Sequence, residues 1–264
     1  MTELWFDRVP MWAVFLGVVA LVLVSIRIGF YAGLYRRKQA EPHEEGPVGA
    51  VAGAVLGLLA FILAFTFSIA ASRFDARKQL LLEEVNAIGT TALRAELISE
   101  PHRTEVRRLL KRYVDVRLPI TQRPTTEALQ QMLQESEVIL DELWAHAIAV
   151  AQIDLNSDIG ALFVESMNQV IDLNTSRRVV ALQYRILPGV WLALFTMTVL
   201  SMVMVGYQFG LVGRANFVAH LVLALTFSAV IVLIADLDRG VQGAIQVSQK
   251  PMIELQQKLN RTTP

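Results

Sequence analysis

Long apolar runs alternate with charged stretches along this chain. Residues 11–26, 47–71, 187–211 and 217–235 are almost wholly apolar, and the second run carries no ionisable side chain. Roughly 20 apolar residues in a helix cover a ~30 Å hydrocarbon core, so the pattern predicts four membrane-spanning helices. Between the second and third runs, residues 72–185 are charged and show helical periodicity. Val106, Leu109, Leu110, Tyr113 and Val114 follow three-four spacing, as do Leu129, Met132, Leu133, Leu140, Leu143, Trp144, Ala147 and Ile148. The expected architecture is all-α: spans one and two over residues 1–71, a helical extramembrane domain over 72–185, spans three and four over 186–237, and a C-terminal tail over 238–264.

Punctuation refines this layout. The first run lacks a basic leader and a small-residue cleavage site, with Glu3 and Asp7 before it, so it reads as a span rather than a signal peptide. Tyr31 and Tyr35 continue it at helical spacing to about Arg37, and residues 38–47, with Pro42, Gly46 and Pro47, form a short loop. Within the insert, breaks are expected near Ser99 to Pro101, with Ser99 as a cap, near Pro119 to Pro124, with Thr125 or Thr126 capping the next helix, and near Leu155 to Asp158. No proline interrupts residues 49–98, which predicts one helix running from the second span into the insert.

The second span carries two further patterns. Gly49, Gly53 and Gly57 share a face on which another helix can approach closely. Phe61, Phe65 and Ile69 make a bulky stripe beside a small one of Ala60, Ala64, Ser68 and Ser72. In an oligomer whose second spans ring an axis, the bulky stripe forms a hydrophobic constriction; the bland reading is that it faces lipid or a partner helix. Arg73, Arg77 and Lys78 follow, and as a ring at a pore mouth they attract anions, while as single residues they anchor headgroups.

Composition narrows the classes. The chain is 54% hydrophobic, yet it holds 24 basic and 24 acidic residues, a neutral balance that gives no footprint for nucleic acid. Zero cysteines exclude disulfides, thiolate metal sites and cysteine nucleophiles. His43, His102, His146 and His220 are scattered, with His146 read as a helix-surface residue and His220 as an interfacial one. Asp154 and Asp158 lie one turn apart, but a solvated face explains them as well as a cation does. Asn174-Thr175-Ser176 matches the glycosylation sequon, a pattern too common to use. There is no phosphate loop, nucleophile elbow or zinc-protease motif, so neither an enzyme nor a cofactor is expected. Basic residues favour a cytoplasmic insert: Arg8, Arg73, Arg77, Lys78, Arg177, Arg178, Arg185, Arg239 and Lys250 fall on its side, against Arg36, Arg37, Lys38 and Arg214.

The exit of the second span resembles a known family. Residues 57–67 read GLLAFILAFTF, residues 73–77 RFDAR and residues 84–90 EVNAIGT, with Tyr113-Val114-Asp115 inside residues 107–118 and Asp-Leu-Asp-Arg at 236–239. This set is similar to the hallmark of bacterial bestrophin-like membrane proteins, and more distantly to bestrophins, the pentameric anion channels. The resemblance implies a homo-oligomer, a pentamer in bestrophins, in the bacterial inner membrane. It implies small anions and membrane lipids as partners, and a neck on the second span, for which Phe61, Phe65 and Ile69 are the counterparts by spacing. The acidic calcium cluster of bestrophins is not reproduced, since Asp236 and Asp238 are followed by Arg239 and Gly240. The rival expectation is a non-conducting scaffold or sensor whose helical domain recruits a partner. A proton-driven motor subunit lacks its intramembrane carboxylate here.

Overall fold

In a computed structural model, residues 9–39, 48–118, 126–213, 216–240 and 243–261 are described, and among them the chain forms α-helices and no strand. In chain order these are α1 (Met11–Gln39), α2 (Val48–Ala95), α3 (His102–Arg117), α4 (Thr126–Ile153), α5 (Asp158–Leu182), α6 (Pro188–Val212), α7 (Phe217–Asp238) and α8 (Lys250–Arg261). Helices α1, α2, α6 and α7 are long and apolar enough to cross a membrane. Helix α2 is 48 residues long and unbroken between Ala71 and Gln79, ending three residues short of Ile98. Two compact units emerge, one of residues 1–72 and 185–239, the other of residues 73–184 and 240–264.

The first unit is held by glycines. A Cβ on Gly29 would fall onto the Val203 carbonyl oxygen, one on Gly206 onto that of Ile26, one on Gly210 onto that of Phe30, and one on Gly33 onto that of Tyr207. Helices α1 and α6 therefore touch backbone to backbone, which only missing side chains permit. The expected close approach along α2 has no counterpart inside the chain: nothing lies within 4 Å of a Cβ at Gly53 or Gly57, and Gly49 meets only the Gln208 side-chain amide at 3.1 Å. Helix α6 ends on Gly213, left-handed at φ 75°, and Arg37 Nη1 donates to the exposed Val212 carbonyl at 3.2 Å. Asn216 caps α7 by accepting from Ala219 N at 3.1 Å.

The far end of α7 is a buried charge cluster. Asp238 accepts from Ile186 N at 2.9 Å and pairs with Arg185 at 3.6 Å, while Arg239 donates to the Val9 carbonyl at 2.8 Å. The Asp-Leu-Asp-Arg stretch thus ties the end of α7 to the segments leading into α6 and α1.

The second unit joins residues 73–95 of α2 to α3, α4, α5 and α8. The apolar face anticipated on α3 is buried in full. On α4, Leu140, Leu143 and Ala147 are buried, but Ile148 is exposed and Val150 takes the inward place one turn after Ala147. Residues 238–264, set apart as a tail by the sequence, include α8, whose Met252 and Leu255 are buried in this core. One cap differs from expectation. Helix α3 starts at His102, where Glu100, not Ser99, reaches a free backbone donor, Thr104 N, at 3.2 Å. Ser157 caps α5 by accepting from Gly160 N at 3.1 Å. Residues 40–47 and 119–125, where a loop and a break were expected, lie outside the described residues.

Candidate functional site

Along the first-unit part of α2, one side is buried and the other is not. Ala52, Leu59, Leu63, Thr66 and Ala70 pack inward, and Ser201 of α6 donates to the Val55 carbonyl at 3.4 Å. Helical geometry sets Phe61 and Phe65 opposite that face, and they are 65% and 55% exposed, with Ile69 half-buried. Gly53, Gly57, Ala60, Ala64, Ser68 and Ser72 are also uncovered. The exposed surface of this apolar helix therefore combines large rings, bare backbone and hydroxyls. Bare backbone and hydroxyls gain nothing from hydrocarbon, where polar groups must find partners.

The three basic residues that follow do not share one environment. Lys78 is exposed, whereas Arg73 is half-buried with an Nη1 that has no hydrogen-bond partner among the described residues. Arg77 is half-buried too, 5.9 Å from the Phe74 ring centroid. It borders a cavity together with Arg117, Arg177 and Arg178. Sequence spacing alone grouped Arg77 with Arg73 and Lys78; the fold groups it with α3 and α5.

Glu84, about two turns beyond Arg77, is fully buried. Tyr113 donates its hydroxyl hydrogen to Glu84 Oε1 at 2.6 Å, Arg117 Nη2 lies 3.3 Å from the same oxygen, and Arg177 pairs with Oε2. The Asn174 amide lies 3.2 Å from the Tyr113 oxygen. The atom of Asn174 that faces the phenol is Oδ1, a second acceptor, and the shorter distance assigns the phenol's one proton to Glu84. Burial pushes the Tyr113 phenol above its ordinary pKa, against a smaller lowering by Arg117. Burial also pulls Arg177 down to about 10, which still leaves it charged at neutral pH. One carboxylate therefore pairs with two guanidiniums, one buried and one half-buried, and leaves one positive charge in excess. Burial of Asn174 also removes the sequon match from the surface.

Other candidates resolve simply. His146 packs edge-on to His102, with their Nδ1 atoms 3.0 Å apart, so one ring carries the proton between them. His220 is buried within the chain, edge-on to Phe209 at 4.8 Å between centroids. Asp154 accepts from Asn156 N at 2.9 Å as a turn residue, and no group of three or more metal-ligating side chains occurs among the described residues.

Four apolar helices of spanning length, an all-helical fold and a second helix that continues unbroken into a helical unit define an integral membrane protein. The chain belongs to the bestrophin-like family, whose model, described as a Bestrophin-like domain, matches residues 14–252. Among solved structures it is similar to a bacterial bestrophin homolog from Klebsiella pneumoniae. One single-residue variant of that homolog gives a TM-score of 0.63 at 15% identity, covering 93% of this chain and 97% of the other. A second variant gives 0.66 at 15% identity, covering 93% and 95%. A variant of a structure described as a membrane protein gives 0.64 at 14% identity, covering 95% and 96%. At such identities the likeness is one of fold. Comparison with curated protein sequences gives no match.

Proposed function

We propose that the chain assembles into a ring, a pentamer as in bestrophins, around an axial pore lined by α2 that passes small anions across the bacterial inner membrane. Phe61, Phe65 and Ile69 form the hydrophobic constriction, and Gly49, Gly53 and Gly57 pack against the neighbouring copy. Residues 72–185, as an extramembrane domain on the cytoplasmic side, extend the pore. The observation that carries this reading is the face of α2 that one chain leaves bare: phenylalanines flanked by glycine, alanine and serine. A neighbouring α2 covers the small residues, and the rings then point to the axis. Lys78 is the exposed cation of the mouth, with Arg73 behind it.

Purified protein reconstituted in vesicles tests the reading: it predicts chloride efflux that rises when Phe61, Phe65 and Ile69 are all changed to Ala. Correctly assembled protein without flux in either form points instead to a scaffold whose helical domain recruits a partner.

A further inference from the structure

The arginines around Glu84 also border an empty space. A cavity of about 90 Å³ in the second unit lies against Arg77, Arg117, Arg177 and Arg178. Its other walls are mostly apolar, formed by Leu81, Leu129, Leu133 and Ala181 among others, with the amides of Gln246 and Gln249 beside them. Glu84 answers Arg117 and Arg177, and Glu137 pairs with Arg178, but among the described residues lining the space there is no carboxylate. Because Arg117 and Arg177 share one carboxylate, guanidinium charge exceeds carboxylate charge between them. Arg117 is 4% exposed, and its Nε has no hydrogen-bond partner among the described residues. Two guanidiniums that share one carboxylate are incompletely answered, and an anion in the cavity would answer the cations that line it.

We propose that this cavity binds a short-chain monocarboxylate, with its carboxylate at Arg117 and the adjoining guanidiniums and its alkyl group against the leucines. Size allows it: a space of about 90 Å³ admits a molecule of a few heavy atoms such as propionate. Chemistry fits too, since the planar guanidinium fork matches a carboxylate, and the apolar wall rewards a ligand with an apolar end. Chloride satisfies the charge and leaves that wall uncovered. Phosphate, which the guanidinium fork matches as well, has no apolar end and leaves the same wall uncovered. The site concerns binding alone and holds whether or not the protein conducts.

Titration calorimetry of the purified full-length protein with sodium propionate, in a fixed sodium chloride background, tests it, with inorganic phosphate as the contrasting anion. The expected result is saturable binding of propionate at one site per chain and none of phosphate. Ala181→Leu and Leu133→Phe fill the cavity without touching a charge, and each is expected to weaken propionate binding at least tenfold while circular dichroism and elution volume stay unchanged. Having two filling variants keeps the test decisive if one fails to fold. The proposal is overturned by absence of a saturable propionate signal, by equal binding of phosphate, or by a folded filling variant that binds as wild type does.

Discussion

Glu84 lies on α2 at the spacing of Leu81, Ile88 and Ala95, an inward face on which a lone carboxylate is costly. Its partners, Tyr113, Arg117 and Arg177, come from α3 and α5, so its state depends on the fold being complete. Glu84→Gln keeps the shape and removes the charge, leaving the buried Arg117 and the half-buried Arg177 without their carboxylate. A loss of about 3–5 kcal/mol is expected, the usual cost of breaking a buried pair, read as a lower denaturation midpoint in urea with the slope unchanged. At the glycines the sign is equally clear. Gly206→Leu places a side chain where the Ile26 carbonyl stands, so α1 and α6 must separate. The expected loss is about 3 kcal/mol or more, at or beyond the usual range for overpacking, measured as a drop in thermal stability in detergent.

At the scale of elements, contrast between two glycine sets gives the sharper experiment. Gly53 has open space around it within the chain, so Gly53→Leu is expected to leave the fold of one chain intact and to break assembly. Size-exclusion chromatography with light scattering reads this as a smaller particle with unchanged helix content; an oligomer of the wild-type size means that the α2 glycines face lipid. Helix positions were legible because length and apolar periodicity report burial directly: the spans at 187–211 and 217–235 correspond to α6 at Pro188–Val212 and α7 at Phe217–Asp238. The face of α3 was legible for the same reason. Pairing between distant segments was not. The sequence shows Gly29 with Gly33, and Gly206 with Gly210, at four-residue spacing, but nothing local says that these two sets meet, whereas the longer series on α2 looks stronger and stays bare inside the chain. Glu84 could have been found by the same logic, as a charge on an apolar stripe. Its arginines could not, because they stand 33 and 93 residues away.

For the molecule as a whole, the central claim is a ring of chains around α2 with an apolar neck and a cationic mouth. Charge and bulk act on different observables. Lys78→Glu reverses the exposed charge and is expected to lower the preference for anions over cations several-fold, seen as a shift of reversal potential in a salt gradient, with little change in stability because the side chain is exposed. Replacing Phe61, Phe65 and Ile69 together with Ala removes the barrier to water and ions at the neck. The most direct measurement is the single-channel conductance of wild-type and triple-Ala protein in planar bilayers, made on samples whose oligomer size has been matched. The account predicts anion-selective currents in both, larger in the triple-Ala protein; equal silence from both matched samples would contradict it.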